Sequence, residues 1–215
     1  MAQLCRQYGV PFIVDAAQSA GSLPVQLREL GASFIAMPGH KGLLGPQGTG
    51  LLLCAEGGEP LLYGGTGNAS IRKDMPPDLP ERLEAGTLNV PGIAGLSAGL
   101  AYLERTGIEK IHRRERREAE RCAAGLKRLG LQTFCGPHQS GTVSFVPRGD
   151  CEEVAQELAG QGIAVRAGLH CAPLAHESAG TLQSGTVRVS FGYDAAPCQT
   201  GEFLLAMGKI MEKDV

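Results

Sequence analysis

Three short, continuous apolar runs near the start of the chain most constrain what it can fold into. They are VPFIVD at residues 10–15, ASFIAM at 32–37 and GTGLLLCA at 48–55. Glycine, proline or a polar cluster bounds each run, a pattern typical of strands that are buried on both faces. The intervening SLPVQLREL, at 22–30, has the length of a brief crossover. The runs predict an α/β fold in which this part of the chain supplies a parallel-type sheet.

The rest of the chain predicts a compact α+β unit of the split βαβ kind, after a long irregular loop at 57–92. We therefore expect residues 1–100 to be the C-terminal part of a truncated larger domain and residues 101–215 to form a small domain. The elements expected in order are helices at about 93–104 and 108–129, a strand at 141–146, a helix at about 152–161, strands at 164–168 and 186–192, and a helix at about 200–213.

Composition excludes several classes of protein. The 215 residues are 43% hydrophobic and 20% charged, which is typical of a folded soluble protein rather than a disordered chain. The net charge of −2 gives no electrostatic case for nucleic acid or a membrane surface as a partner. Seven cysteines without a C-x-x-C pair fit neither a disulfide framework nor a structural zinc site. We expect a cytoplasmic protein that binds no metal.

The charged run RRERREAER, at 113–121, has two interpretations. Its arginines would suit nucleic acid, but arginine and glutamate interleave at helical spacing. Apolar residues at helical spacing around the run predict a buried stripe, so we favour a solvated helix face. The stripe comprises Ile108, Ile111, Cys122 and Leu126.

Chemistry-bearing residues follow the first two predicted strands. Asp15 ends the first strand, and Lys41 follows the second within the glycine-rich segment GHKGLLGPQGTG, at 39–50. Ligands collect at the carboxyl ends of parallel strands, so both side chains would overhang one crevice if the strands are neighbours. A simple ion pair is the alternative. The glycines favour a ligand site, because they let the backbone approach a bound group and adopt positive φ.

Four ordered motifs resemble the class V aminotransferase family, specifically its cysteine desulfurase and selenocysteine lyase branch. Their sequences are VDAAQSAG at 14–21, GHKGLLGPQGTG at 39–50, EAGTLNVPGIAGL at 84–96 and RAGLHCAPLAH at 166–176. The resemblance covers nearly the whole chain and implies a fold type I enzyme dependent on pyridoxal 5′-phosphate. Lys41 would bind that cofactor covalently as a Schiff base.

The resemblance implies roles for residues around Lys41. A buried carboxylate at Asp15 would stabilise the protonated ring nitrogen of the cofactor. Gln18 would donate to the phenolic oxygen of the ring, and His40 would contact the phosphate. Related desulfurases often have the sequence S-G-H-K at this point, with a serine hydroxyl that contacts the phosphate. This chain has Pro38 in place of that serine, and proline offers neither a hydroxyl nor an N–H. Phosphate binding would therefore be weaker or supplied elsewhere.

A homodimer is also implied by the resemblance. The AGT loop of the family reaches across a dimer, so Thr87, together with the GGTG turn at 64–67, would serve the cofactor of a second copy. A turn hydroxyl that bonds its own backbone is the alternative reading of Thr87.

The strand TVRVSFG, at 186–192, adds a candidate substrate-binding residue. Period-2 alternation places Val187 and Val189 on one face and Arg188 on the other. An inward-facing Arg188 suits bidentate binding of a substrate carboxylate, whereas a surface arginine is the alternative.

Cys171 is the candidate nucleophile. It lies in a loop between two strands, beside His170 and near Arg166, surroundings that favour the thiolate form. Arg166 either orients this loop or is only a charge at the end of a strand. His170 and His176 could transfer protons, although isolated histidines more often have structural roles. The other cysteines are interpreted as small buried hydrophobic residues: Cys5, Cys54, Cys122, Cys135, Cys151 and Cys198.

The resemblance implies a cysteine desulfurase that converts L-cysteine to alanine and leaves a persulfide on Cys171, with a sulfur-acceptor protein as a further partner. A selenocysteine lyase, or another lyase of the family, is an alternative. A catalytically incompetent truncated fragment is another, because the family's first half has no counterpart before Asp15. A phosphate-binding module would leave Cys171 and Arg188 unexplained.

Overall fold

The computed structural model describes residues 1–68 and 71–213 and divides the chain into two compact units, Met1–Ile108 and Glu109–Val215. Each unit has its own sheet, one of three strands and one of four. Within the described ranges, no helix is both long and apolar enough to cross a membrane.

The first unit is built around a three-stranded sheet with the order β1-β2-β3. β1 and β2 are parallel, with Ile13 opposite Phe34, whereas β2 and β3 are antiparallel, with Pro38 opposite Gly50. The elements are α1 (Ala2–Gln7), β1 (Ile13–Asp15), α2 (Leu27–Leu30), β2 (Phe34–Pro38), β3 (Gly50–Cys54), a 3₁₀ turn (Glu81–Leu83) and α3 (Val90–Thr106).

The direction of β3 differs from the parallel arrangement that the apolar runs predicted. Only residues 39–49 connect β2 to β3. Parallel neighbours need a crossover of a dozen or more residues, usually with a helix, whereas antiparallel neighbours accept a short connection. The glycine-rich segment folds into tight turns instead of a helix, so the chain reverses and β3 returns alongside β2.

The prediction that these strands are buried on both faces is also wrong. On β2, Ile35 and Met37 are buried, at 0% and 8% exposure, but the intervening Ala36 is exposed. Leu52, opposite Ala36 on β3, is 50% exposed. These two residues line an open groove of about 990 Å³ together with Leu79 and Leu83. A strand is buried on both faces only where layers pack on both sides, and this face is left partly open.

The second unit contains an antiparallel sheet with the order β4-β5-β7-β6. The sequence patterns predicted its main helices and strands but missed β4 and α6, which are too short to show periodicity. The elements are α4 (Ile108–Arg128), β4 (Thr133–Phe134), β5 (Thr142–Phe145), α5 (Cys151–Gly160), β6 (Arg166–Gly168), α6 (Pro173–Ser178), β7 (Thr186–Ser190) and α7 (Pro197–Lys213).

The core of this unit lies between the sheet and its helices. Phe145 of β5 is fully buried and meets Phe203 of α7 edge to face, with ring centroids 6.1 Å apart. Val187 and Val189, predicted to share one face of β7, both lie in this core. Each large apolar side chain contributes about 1.5–3 kcal/mol when it is fully buried.

The solvated helix face predicted for the charged run is confirmed on α4. Arg113 pairs with Glu109 at 3.5 Å and Arg116 with Glu120 at 2.8 Å, both at i,i+4 spacing. The predicted stripe is buried at Ile111, Cys122 and Leu126, and half-buried at Ile108. The pattern did not predict the burial of Glu115 and Glu118, at 8% and 2% exposure.

All seven cysteines are free thiols. Cys122 and Cys151 are buried as predicted, and burial raises the pKa of Cys122 to about 12, with Cys135 adding to the rise. Cys5, Cys54 and Cys135 are half-buried. The prediction is wrong for Cys198, which is exposed because it lies in the first turn of α7 at the surface.

Candidate functional site

The glycine-rich segment folds back on itself and presents Lys41 at the start of a turn. The amides of Gly39 and Gly45 donate to the carbonyls of Thr49 and Gly39, each at 2.7 Å. The amide of Leu44 donates to the carbonyl of Lys41 at 3.0 Å, which closes the turn. The side chain of Lys41 is exposed.

The turn after β1 lies directly against the turn after β2. A Cβ atom added at Gly42 would overlap the carbonyl oxygen of Ala20, and one added at Gly21 would overlap the carbonyl of Gly42. Since β1 and β2 are also adjacent, the segment that begins at Asp15 and the segment that carries Lys41 leave the same edge of the sheet. The two predicted cofactor segments are therefore neighbours.

The glycines of the segment serve the protein's own packing. A Cβ at Gly39 would overlap the hydroxyl of Thr49, and one at Gly45 would come within 2.7 Å of Leu96 on α3. In this segment, positive φ occurs at Gly48, with φ 76°, and at the non-glycine Leu44, with φ 59°. The glycine pattern is thus explained without a bound group and does not by itself identify a ligand site.

The cofactor residues predicted on the first unit are open to solvent. Asp15, Gln18, His40 and Lys41 are all exposed, so the expected buried carboxylate is not found in this chain. A carboxylate oxygen of Asp15 accepts a hydrogen bond from the amide of Ala17 at 2.8 Å. Among the described residues no ion pair joins Asp15 to Lys41, so the ion-pair alternative has no support.

The GGTG turn and the AGT loop touch each other. The amide of Gly86 donates to the carbonyl of Gly65 at 2.7 Å. Thr87, the next residue, is exposed, and its hydroxyl makes no hydrogen bond within the described ranges. The structure therefore joins the two segments predicted to serve a neighbouring copy and leaves the threonine hydroxyl available.

In the second unit, Cys171 lies in a tight turn between β6 and α6. The amide of Ala172 donates to the carbonyl of Leu169 at 2.9 Å, and the two residues between them have positive φ. φ is 52° at His170 and 61° at Cys171, a left-handed conformation that is uncommon for residues other than glycine, asparagine and aspartate. The turn leaves Cys171 exposed.

Arg166 contacts the sulfur of this cysteine. The guanidinium Nη2 lies 3.7 Å from Sγ of Cys171. Of the two interpretations of Arg166, the one in which it contacts the cysteine loop is therefore the one that the structure supports.

Arg188 lies opposite Arg166 in the β6–β7 register. Two like charges at directly opposed positions repel each other, so the pair raises the local positive potential. Arg188 is half-buried, and its buried Nε has no hydrogen-bond partner among the described residues. An anion, such as a carboxylate, would relieve both the repulsion and the unpaired N–H.

Two histidines, one in the turn and one in α6, are held by threonines. Nε2 of His170 lies 2.9 Å from the hydroxyl of Thr186, and Nδ1 of buried His176 lies 2.8 Å from the hydroxyl of Thr181. The pKa of His170 is lowered, first by burial and then by the nearby charge of Arg188. His176 and Arg166 lower this pKa further, whereas the hydrogen bond with Thr186 raises it. Sequence reasoning did not detect the burial of His176, because a single histidine in a short helix gives no periodic signal.

Comparison with known proteins decides the family. Residues 1–197 match the family model described as aminotransferase class V. The chain belongs to the class V aminotransferase family. The resemblance inferred from the four motifs is thereby confirmed, and so is the mixed α/β fold.

The chain is similar to cysteine desulfurases by sequence. It is 37% identical over 222 residues to a probable cysteine desulfurase of Methanothermobacter thermautotrophicus, covering 98% of this chain and 54% of that protein. It is 38% identical over 203 residues to a probable cysteine desulfurase of Pyrococcus abyssi, covering 89% and 50%. The chain spans about half the length of these relatives.

Solved structures of cysteine desulfurases are also similar to this chain. An apo cysteine desulfurase of Thermococcus onnurineus aligns with a TM-score of 0.88 and 35% identity, over 99% of this chain and 55% of that one. A cysteine desulfurase of Escherichia coli aligns with a TM-score of 0.88 and 30% identity, over 98% and 54%. Enzymes of this family use pyridoxal 5′-phosphate. The two segments that carry Asp15, Gln18 and Lys41 touch at Gly21 and Gly42, and their carboxylate, amide and amine are the types of group that would hold that cofactor.

Proposed function

We propose that this member of the class V aminotransferase family is a pyridoxal-phosphate-dependent cysteine desulfurase, which takes sulfur from L-cysteine and yields alanine. The observation that carries the proposal is the exposed sulfur of Cys171 with the guanidinium of Arg166 at 3.7 Å. A cation beside an accessible thiol favours the negatively charged, nucleophilic form of sulfur. The similarity to cysteine desulfurases supports the same reaction.

Residues of the first unit would hold the cofactor. Lys41 would bind it covalently, Asp15 would stabilise positive charge on its ring nitrogen, Gln18 would donate to its phenolic oxygen, and His40 would contact its phosphate. The bound cofactor supplies an electron sink that stabilises negative charge next to the substrate's amino group. The contact between Gly21 and Gly42 supports this assignment, because it brings the segments of Asp15 and Lys41 together.

Lys41 would also move protons. An amine at this position can take the proton from the α-carbon of the substrate and return a proton to the product. Its exposure and its place at the start of a turn leave the amine accessible to a substrate.

Arg188 would bind the carboxylate of the amino acid. Its Nε is buried without a partner, and Arg166 across the strand pair adds positive charge. A carboxylate that accepts from the guanidinium would satisfy the buried N–H and offset the repulsion between the two arginines.

Cys171 would accept the sulfur. Its thiolate forms a bond to the sulfur of the substrate while the bond between that sulfur and the substrate's β-carbon breaks. The electron pair of the broken bond stays with the carbon framework, which takes up a proton and becomes alanine. The sulfur remains on Cys171 as a persulfide, so no external oxidant or reductant is needed.

The proposed enzyme acts as a homodimer and passes its sulfur to an acceptor protein. Thr87 would contact the cofactor of the second copy, and its exposure beside the linked GGTG turn supports this role. The exposure of Cys171 leaves a persulfide accessible to an acceptor.

The openness of the first unit favours a second candidate function. The side chains of Asp15, Gln18, His40 and Lys41 are exposed, so this chain does not enclose a cofactor between them. Under this candidate the chain carries the residues of a desulfurase but does not turn over L-cysteine by itself. Absorbance of bound pyridoxal phosphate after gel filtration separates the two candidates: stoichiometric retention supports an active chain, and none supports the second.

The test of desulfurase function replaces the nucleophile in a polypeptide that contains this chain and turns over L-cysteine. Cys171→Ala should abolish alanine and persulfide formation while leaving cofactor absorbance and its change on adding L-cysteine intact. Cys198→Ala is the matched control, because it removes the other exposed thiol and should have no effect. Desulfuration at the parental rate by Cys171→Ala would show that the proposal is wrong, and loss of cofactor binding would assign Cys171 a structural role.

A further inference from the structure

The turn that carries Cys171 has a backbone conformation that its own residues do not favour. His170 and Cys171 occupy the two central positions between Leu169 and Ala172, both with positive φ. Asparagine and glycine are the residues that normally occupy such turns. A strained conformation of this kind persists only where the surroundings hold it in place.

The first restraint acts on the side chain of His170. Its Nε2 lies 2.9 Å from the hydroxyl of Thr186, which is 2% exposed at the start of β7. Thr186 lies opposite Gly168 in the β6–β7 register, so the bond ties the turn to the sheet from which it has just emerged. Nδ1 of His170 has no partner among the described residues, so this bond alone does not fix the ring.

The second restraint is His176, near the end of α6. It is 7% exposed, and its ring lies 5.7 Å from that of His170, centroid to centroid, at 48°. The His176 Nδ1 lies 2.8 Å from the hydroxyl of Thr181, which is 4% exposed, and the amide of Thr181 donates to the carbonyl of His176 at 2.8 Å. His176 is thus fixed from two sides and packs against the residue that precedes Cys171.

We infer that His176, held by Thr181, is a positioning residue for Cys171, which keeps the strained turn in the conformation that places the cysteine sulfur beside Arg166. The inference rests on the proposed function for its purpose, but not for its test. A packing role alone would affect stability, whereas a positioning role also links His176 to the contact between Arg166 and Cys171.

The test is a double-mutant cycle on thiol alkylation in the purified chain. Iodoacetamide rate constants for Cys171 are measured at pH 7.5 by peptide mass spectrometry, with exposed Cys198 as an internal reference. Arg166→Gln should slow alkylation of Cys171, and His176→Ala should slow it by about three- to tenfold. The double variant should be no slower than the slower of the two single variants. Full additivity, or an unchanged rate in His176→Ala, would overturn the inference.

Three further variants separate positioning from general destabilisation. Thr181→Val removes only the hydroxyl partner and should reproduce the His176→Ala rate, so the test stands even if His176→Ala does not fold. His176→Asn places an amide where Nδ1 was and should restore most of the parental rate. Thr200→Val removes a comparable buried hydrogen bond, to Glu118, and should leave Cys171 unchanged. An equal loss in Thr200→Val would overturn the inference.

Alkylation requires neither cofactor nor turnover. A failed cycle would therefore leave the desulfurase proposal standing, and desulfuration that survives Cys171→Ala would refute the proposed function without altering the cycle.

Discussion

The guanidinium Nη2 of Arg166 lies 3.7 Å from the Sγ of Cys171. A cation at this distance stabilises negative charge on sulfur, but both side chains are exposed, so salt screens the attraction. We predict that Arg166→Gln lowers the iodoacetamide rate of Cys171 several-fold at low ionic strength, whereas Arg166→Lys, which retains the charge, lowers it less.

Ionic strength provides the control for this prediction. Added salt, at about 0.5 M, should slow Cys171 in the parental chain but not in Arg166→Gln, because only the parental chain has the attraction to screen. Equal salt responses of the two proteins would show that Arg166 acts through the shape of the loop instead.

Much of the fold could be predicted because its elements carry periodic signals. The alternation of Val187 and Val189 with Arg188 predicted the buried face of β7, and the spacing of Ile111, Cys122 and Leu126 predicted that of α4. The direction of β3 carries no periodic signal, and it follows instead from the short connection at residues 39–49, which is too short for a parallel crossover.

Some residues of the candidate site could likewise be predicted from the sequence, whereas their burial and contacts could not. Lys41 and Cys171 could be found from motifs, since their neighbours in sequence belong to the same motif. The exposure of Asp15 could not, because burial depends on which layers pack over a strand end. The contacts of His176 could not be predicted either, because its partner Thr181 and its neighbour His170 come together only through the geometry of α6 and the preceding turn.

His170 predicts a pH dependence of stability. Burial, and then Arg188 and His176, lower the pKa of His170 below its ordinary value, with a further contribution from Arg166, while the hydrogen bond with Thr186 opposes the shift. Folding therefore favours the neutral ring. The stabilisation is present above about pH 6.5, the unfolded value, and is lost as pH falls through the lower folded pKa.

We expect the urea midpoint of the chain to fall between pH 7.5 and pH 5, and His170→Gln to remove part of that fall. His138→Gln is the matched control, because it makes the same replacement at an exposed histidine of the same unit. A titration of the His170 ring by NMR with a midpoint above 6.5 would contradict the prediction.

The buried hydrogen bond between Thr200 and Glu118 predicts that removing the hydroxyl lowers the stability of the chain. The hydroxyl of fully buried Thr200 donates to a carboxylate oxygen of Glu118 at 2.6 Å, and Glu118 is 2% exposed. Arg121, a charged partner of Glu118, lies farther away, at 3.8 Å. Thr200→Val should lower the free energy of unfolding by about 1–3 kcal/mol, because a buried carboxylate loses its hydroxyl donor.

Urea unfolding measures this change, with Ser190→Ala as the control. Ser190 is exposed on β7, so its hydroxyl contributes little and the change should stay within about 0.5 kcal/mol. Unchanged stability of Thr200→Val would mean that Arg121 or water replaces the hydroxyl.

The close approach at Gly42 of the turns after β1 and β2 predicts that a larger side chain there weakens binding of pyridoxal phosphate to Lys41. A Cβ at this position would overlap the carbonyl oxygen of Ala20, so Gly42→Ala must push the two turns apart, whereas Gly57→Ala adds its Cβ in open space. In a form of the protein that binds the cofactor, borohydride should fix it on the Lys41 peptide, because reduction makes the bond between amine and aldehyde permanent. Gly42→Ala should reduce the labelled fraction several-fold and lower stability by about 1–3 kcal/mol, while Gly57→Ala should change neither. Normal labelling of Lys41 in Gly42→Ala would show that the approach of the two turns is not needed to hold the cofactor.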